Sequence, residues 1–163
     1  MKSILVIVSL AALAGCASKP KTAADIDASS SNVATQTGQY APGSMADLEK
    51  NIGNRIFFAY DQYTLSPQAQ EILKKQAQWL KKYPDTRFQI AGNADERGTR
   101  EYNLALGARR AEAAKAFLIA NGVAAVRLTT VSYGKERPIA SGSNEDAWAQ
   151  NRNATSTIGG ARS

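Results

Sequence analysis

Histidine is absent from the 163 residues, and cysteine occurs once, at Cys16. Without histidine the chain lacks the side chain that most often moves protons near neutral pH, which is also the commonest metal ligand. With a single cysteine it cannot close an intrachain disulfide. No Gly-x-Ser-x-Gly elbow is present, so a hydrolase would need unusual players. Adjacent Asp95 and Glu96 lack the ligand count and spacing of a calcium loop. Neither an enzyme, a metal site nor a cofactor is expected. Apolar runs are short as well: Ile4 to Leu13 falls below the roughly 20 residues a membrane-spanning helix needs.

What is present bounds the architecture. A chain of this length with 44% hydrophobic residues can bury one core but not comfortably two. The formal charge of +6 admits a polyanionic partner without choosing one. The first residues narrow the choice. Met1-Lys2-Ser3 is a short basic start, the Ile4 to Leu13 run is uncharged, and Leu13-Ala14-Gly15-Cys16 ends it with small residues, the pattern of an export signal. LAGC resembles the lipobox of bacterial lipoproteins. That resemblance implies a signal peptide at 1–15, removal before Cys16, acylation of Cys16, and, with Ala17 next, an outer-membrane destination facing the periplasm. Nucleic acid is excluded as a partner by that compartment.

From residue 16 to 47 the text is small and polar, ASKPKTAADIDASSSNVATQTGQYAPGSM in its main part. It has too little apolar surface to offset its ordering entropy, which predicts a tether. The folded domain is expected over 48–163. Arg55 to Tyr60 reads as a buried strand. Ser66-Pro67 caps a helix whose Ala69, Ile72, Leu73, Gln76, Ala77 and Leu80 recur at helical spacing until Pro84. Strands follow at Arg87 to Ala91 and Arg127 to Tyr133, the second ambiguous in facing. Between them lies a helix from about Thr99 or Arg100 to Ile119, stopped by Asn121-Gly122. A short helix at Asn144 to Gln150 and a last strand at Ala154 to Ile158 complete the pattern. Alternating strands and helices predict an α/β (α+β) sandwich, a small mixed sheet with helices on one face.

One feature resists a purely structural account. Arg109 and Arg110 interrupt an apolar helix, and Arg110 falls on the face of Leu106 and Ala114. A guanidinium near a core needs a counter-charge. Asp95 or Glu96 in the preceding glycine-bracketed loop could brace it, or the acid and base could together clamp a zwitterionic guest.

The stretch GNADERGTREYNLALGARRA, Gly92 to Ala111, resembles the signature of OmpA-like peptidoglycan-binding domains. FFAYDQY at Phe57 to Tyr63 and VSYGKERP at Val131 to Pro138 extend the likeness over about Arg55 to Arg152. Its ADERGTREYN core is most similar to the lipoprotein branch that works in Tol-Pal systems. The resemblance implies binding of the diaminopimelate side chain of peptidoglycan. Asp95 would meet its ammonium and Arg110 its carboxylate, with Asp61, Arg97, Asn103, Leu106 and Tyr60 lining the pocket. It also implies TolB and TolA as protein partners and a role in envelope integrity and cell division. A domain that mainly docks such proteins, its charged pair only a brace, remains the alternative. Two departures stand out. Asn93 replaces a histidine common in the family, and Asn153 replaces a second arginine, ahead of a closing strand more polar than usual and expected to pack more weakly.

Overall fold

The computed structural model describes residues 40–159. Expectations for the signal peptide and Cys16, and for the tether up to residue 39, lie outside the described residues. The end of that tether is packed, however. Ser44 caps α1 (Met45–Asp47), which runs into a π-helical turn at Leu48–Ile52. Asp47 is buried and accepts hydrogen bonds from Trp79 Nε1 at 2.8 Å, Asn51 Nδ2 at 2.7 Å and the Gly43 amide at 2.9 Å. Those donors, Trp79 first, hold its carboxyl below the usual range despite its burial. A polar stretch can pack here because its one buried charge is satisfied on three sides.

The remaining elements are β1 (Arg55–Phe57), α2 (Pro67–Lys82), β2 (Phe88–Asn93), α3 (Arg100–Ala120), β3 (Leu128–Gly134), α4 (Glu145–Asn151) and β4 (Asn153–Ile158), with a 3-10 turn at Ala125–Arg127. The sheet order is β1-β4-β2-β3. β2 and β3 are parallel across the α3 crossover, and β4 runs antiparallel between β1 and β2. This is the expected mixed sheet, with α2 and α3 packed on one face. The first strand is shorter than the expected Arg55 to Tyr60: Phe58 still faces the core and bonds the Arg152 carbonyl, but beyond it the chain leaves β4 and the Ala59 carbonyl accepts from Arg110 instead.

Helix ends follow their sequence signals. Ser66 Oγ accepts from the Ala69 amide, with Pro67 at the first helical position; Thr99 caps α3 and Asn144 caps α4 in the same way. The core joins Leu73, Ala77 and Leu80 of α2 to Phe88 and Ile90 of β2, Leu128 of β3, and Ala114 and Leu118 of α3. Trp79, outside the recurring apolar positions of α2, stacks on Phe88 with centroids 5.8 Å apart. Arg127 spreads over the carbonyls of Leu80, Tyr83 and Thr86, closing the end of α2.

The polar closing strand is not a loose edge. β4 lies inside the sheet, where Ser156 Oγ donates to Gln76 Oε1 at 2.9 Å and Gln76 Nε2 donates to the Gly53 carbonyl at 2.7 Å. Its hydroxyls are satisfied, so burial costs little.

Backbone contact sets the position of α3. A Cβ on Gly92 would lie 1.8 Å from the Gly107 carbonyl oxygen, and one on Gly107 would lie 2.4 Å from Ser132 Oγ and 2.7 Å from the Gly92 oxygen. Helix and strand therefore touch main chain to main chain one turn before Arg110. Gly107→Ala should force them apart and cost about 1–3 kcal/mol or more. Urea unfolding at neutral pH checks this, and an unchanged midpoint would show that the contact is slack.

Candidate functional site

The loop between β2 and α3, the N-terminal half of α3 and the loop after β1 enclose a cleft of about 210 Å³. It is lined by Tyr60, Asp61, Asp95, Arg97, Asn103, Leu106 and Arg110, together with Ala94, Gly98 and Tyr102. All seven residues expected to form the site thus meet in one cavity.

Arg110 is fully buried, and its partners are neither Asp95 nor Glu96. Nε donates to the Gln62 carbonyl at 2.8 Å, Nη1 to that of Asn93 at 2.7 Å, and Nη2 to that of Ala59 at 3.2 Å. The Phe58 ring lies 5.1 Å from its Cζ. A guanidinium carries five N–H donors, so one N–H on each terminal nitrogen is left uncommitted by these bonds. Burial lowers its pKa to about 10, with Asp95 and Asp61 opposing the shift. It is still a cation at pH 7.

Asp95 is nearly as buried, and it is occupied. Arg97 donates from Nε to Oδ1 at 3.1 Å and from Nη2 to Oδ2 at 2.6 Å, while the Arg97 amide bonds Oδ1 at 3.1 Å. Burial works to raise the Asp95 pKa, but these bonds and the nearby cations outweigh it and hold the carboxyl below its ordinary value. A carboxylate free to meet an ammonium is therefore not what the described state contains.

A second arginine, not singled out from the sequence, completes the charge network. Arg152 Nη1 sits 3.5 Å from Asp95 Oδ2, while Nε donates to the Phe58 carbonyl at 3.0 Å and Nη2 to Glu145 Oε1 at 2.7 Å. Arg152 carries no helical or alternating pattern that could have marked it. It reaches the site because α4 ends against β4.

The two departures from the family pattern are partners. Asn93 Nδ2 donates to Asn153 Oδ1 at 2.8 Å, and Asn153 Nδ2 donates to the Gln150 and Asn151 carbonyls at 2.8 and 3.2 Å. The Asn93 carbonyl that receives Arg110 is thereby tied to the end of α4, and so to Arg152. Neither asparagine leaves a buried side-chain atom unpaired.

On the open side, Asp61 adopts a left-handed backbone (φ 54°), a conformation aspartate tolerates better than most residues. Its Oδ1 accepts a hydrogen bond from the Tyr102 hydroxyl, which raises the Tyr102 pKa. Asn103 is buried and donates to the Arg97 carbonyl at 2.8 Å. Lys135 binds the carbonyls of Glu96 and Gly98 at 3.1 and 2.7 Å, fixing the loop from outside. Opposite charges thus line one small space: the Arg110 and Arg97 guanidinium groups and the carboxylates of Asp61 and Asp95.

The OmpA family pattern matches residues 57–152, which contain every wall of this cleft. The chain belongs to the OmpA family. A protein of Mesorhizobium japonicum named peptidoglycan-associated lipoprotein is 50% identical, over 98% of this chain and 93% of that protein. One of the same name from Rhizobium meliloti is 47% identical, over 98% and 89%. The crystal structure of the peptidoglycan-associated lipoprotein from Burkholderia pseudomallei is similar to this chain with a TM-score of 0.64 and 45% identity, covering 65% of this chain and 90% of that one. Among the described residues no helix is long and apolar enough to cross a membrane.

The two neighbouring arginines should separate cleanly in stability. Arg110→Ala strands three carbonyls, at about 1–3 kcal/mol for each that stays buried and unpaired. Arg109 is exposed, with Tyr63 as a loose neighbour, and Arg109→Ala should fall within about 0.5 kcal/mol of the wild type. Chemical denaturation of both variants checks the contrast.

Proposed function

We propose that the chain is a lipid-anchored envelope protein that binds peptidoglycan non-covalently and ties the outer membrane to the cell wall. In this reading diaminopimelate in the stem peptide is the group recognised. Its distal carboxylate takes the uncommitted N–H donors of Arg110, and its ammonium lies toward Asp95 and Asp61. Tyr60, Arg97, Asn103 and Leu106 shape the cavity around it. The observation that carries the reading is a small cleft lined by a buried cation, Arg110, and by two carboxylates, Asp61 and Asp95, in a chain whose relatives are named for peptidoglycan. A zwitterion meets both signs of charge at once, whereas an anion or a cation meets only one.

Cys16 supplies the anchor, as an acylated N-terminus followed by a tether. TolB and TolA are the protein partners expected from the Tol-Pal resemblance, in envelope integrity and cell division. No catalytic step is needed for any of this.

Titration of the full chain with a stem peptide carrying meso-diaminopimelate, against one carrying lysine, tests the recognition. Lysine lacks the carboxylate that Arg110 reads, and loss of a charge-assisted hydrogen bond of about 1.5–3 kcal/mol predicts binding weaker by more than tenfold. Equal affinity would refute the assignment.

The chain has no histidine, and Asp95 titrates below its ordinary 3.8. A carboxyl with a depressed folded pKa contributes its stabilisation above the unfolded value and loses it as pH falls through the folded one. Affinity for the diaminopimelate peptide should therefore be flat between about pH 5 and pH 8, and a step within that window would point to a different titrating group. Cys16→Ser should move the protein from the membrane fraction to the soluble one, read by fractionation and immunoblotting.

A further inference from the structure

The cleft contains a cation of its own. The Arg97 guanidinium lies between the rings of Tyr60 and Trp148, its Cζ 4.1 Å from each centroid. Trp148 is steadied by a 2.9 Å hydrogen bond from Nε1 to Glu96 Oε1. Arg97 forks onto both oxygens of Asp95, and its Nη1 stands 3.9 Å from Glu145 Oε2. Two aromatic faces and two carboxylates make a good seat for a positive group.

The seat is taken by a residue that can leave it. Every group that holds the Arg97 guanidinium is another side chain, and the Arg97 side chain is 29% exposed. Arg110, by contrast, is held by backbone carbonyls and fully buried. A ligand ammonium seated against Tyr60, Trp148 and Asp95 would need the volume that the Arg97 guanidinium fills, so the two exclude one another. Departure of Arg97 would not strand Asp95 either. Arg152 Nη1 lies 3.5 Å away and is the buried side-chain nitrogen without a hydrogen-bond partner among the described residues, ready to take up the vacated oxygen.

We propose that Tyr60, Trp148, Asp95 and Glu145 form a cation subsite for the ligand's ammonium group, and that Arg97 is its built-in occupant, displaced when the ligand enters. This rests on the diaminopimelate reading above. Arg97 then sets affinity by competition: it keeps the pocket's negative wall neutralised while the site is vacant and yields only to a guest that brings its own cation.

The test titrates the full chain, Arg97→Ala and Arg97→Lys with free meso-diaminopimelate, by calorimetry and by tryptophan emission. Removal of the competitor should tighten binding by about tenfold, the effect of losing roughly 1.4 kcal/mol of competing interaction. Arg97→Lys, which keeps the charge but loses the fork and the planar stack, should fall between. Emission should change on binding in the wild type, as the guanidinium leaves Trp148, and change far less in Arg97→Ala. Unchanged or weaker binding by Arg97→Ala, with the wild type binding, would overturn the proposal while leaving the diaminopimelate reading intact. A wild type that pellets with peptidoglycan but ignores diaminopimelate would remove the reading and the subsite together. Should Arg97→Ala fail to fold, Arg97→Lys decides by the same two readouts.

Discussion

A full positive charge with no exposed surface is the constraint around which this domain is arranged. Burial of the Arg110 guanidinium would be prohibitive without compensating dipoles. They come from three places: Ala59 and Gln62 in the loop after β1, and Asn93 at the end of β2. Satisfying one side chain therefore fixes the loop, the strand end and the helix relative to one another. The cleft is the space left between those three once they are pinned.

Around that centre, charges alternate. Asp95 lies among Arg97 and Arg152, both arginines reach Glu145, and Asp61 faces the pocket from the opposite loop. The inner part of this network is tied to main chain, whereas the outer part, Arg97 and Glu145, is held by side chains alone. A gradient from rigid to exchangeable contacts runs outward along one small cavity. Such a layout lets a site keep its shape while it trades internal ion pairs for a guest's.

Much of the fold was legible from local signals, because those signals are local in origin. Ser66-Pro67, Asn121-Gly122 and the apolar spacing of α2 act within a turn or two, and each set its element's bounds to within a few residues. The site was legible from the run Gly92 to Ala111, which carries Asp95, Arg97, Asn103, Leu106 and Arg110 on adjoining elements. What the run could not disclose is pairing. Arg110 selects carbonyl oxygens, and every residue has one, so no sequence pattern marks Ala59, Gln62 or Asn93 as its partners. Arg152 and Trp148 arrive from the far end of the chain, placed by the register of β4. The partner of Ser156 in β4 was hidden for the same reason: only the opposing Gln76 shows how its buried hydroxyl is satisfied.

The strand order has a consequence for how the chain comes together. Because β4 lies between β1 and β2, β1 has no strand to pair with until Asn153–Ile158 is available, although β2 and β3 can pair without it, and the two ends of the domain are hydrogen-bonded neighbours. A polypeptide made amino end first would hold β1 unpaired until β4 had followed it. Completion of the sheet then waits on a pairing between the two ends of the domain, a contact of high sequence separation and therefore slow to form.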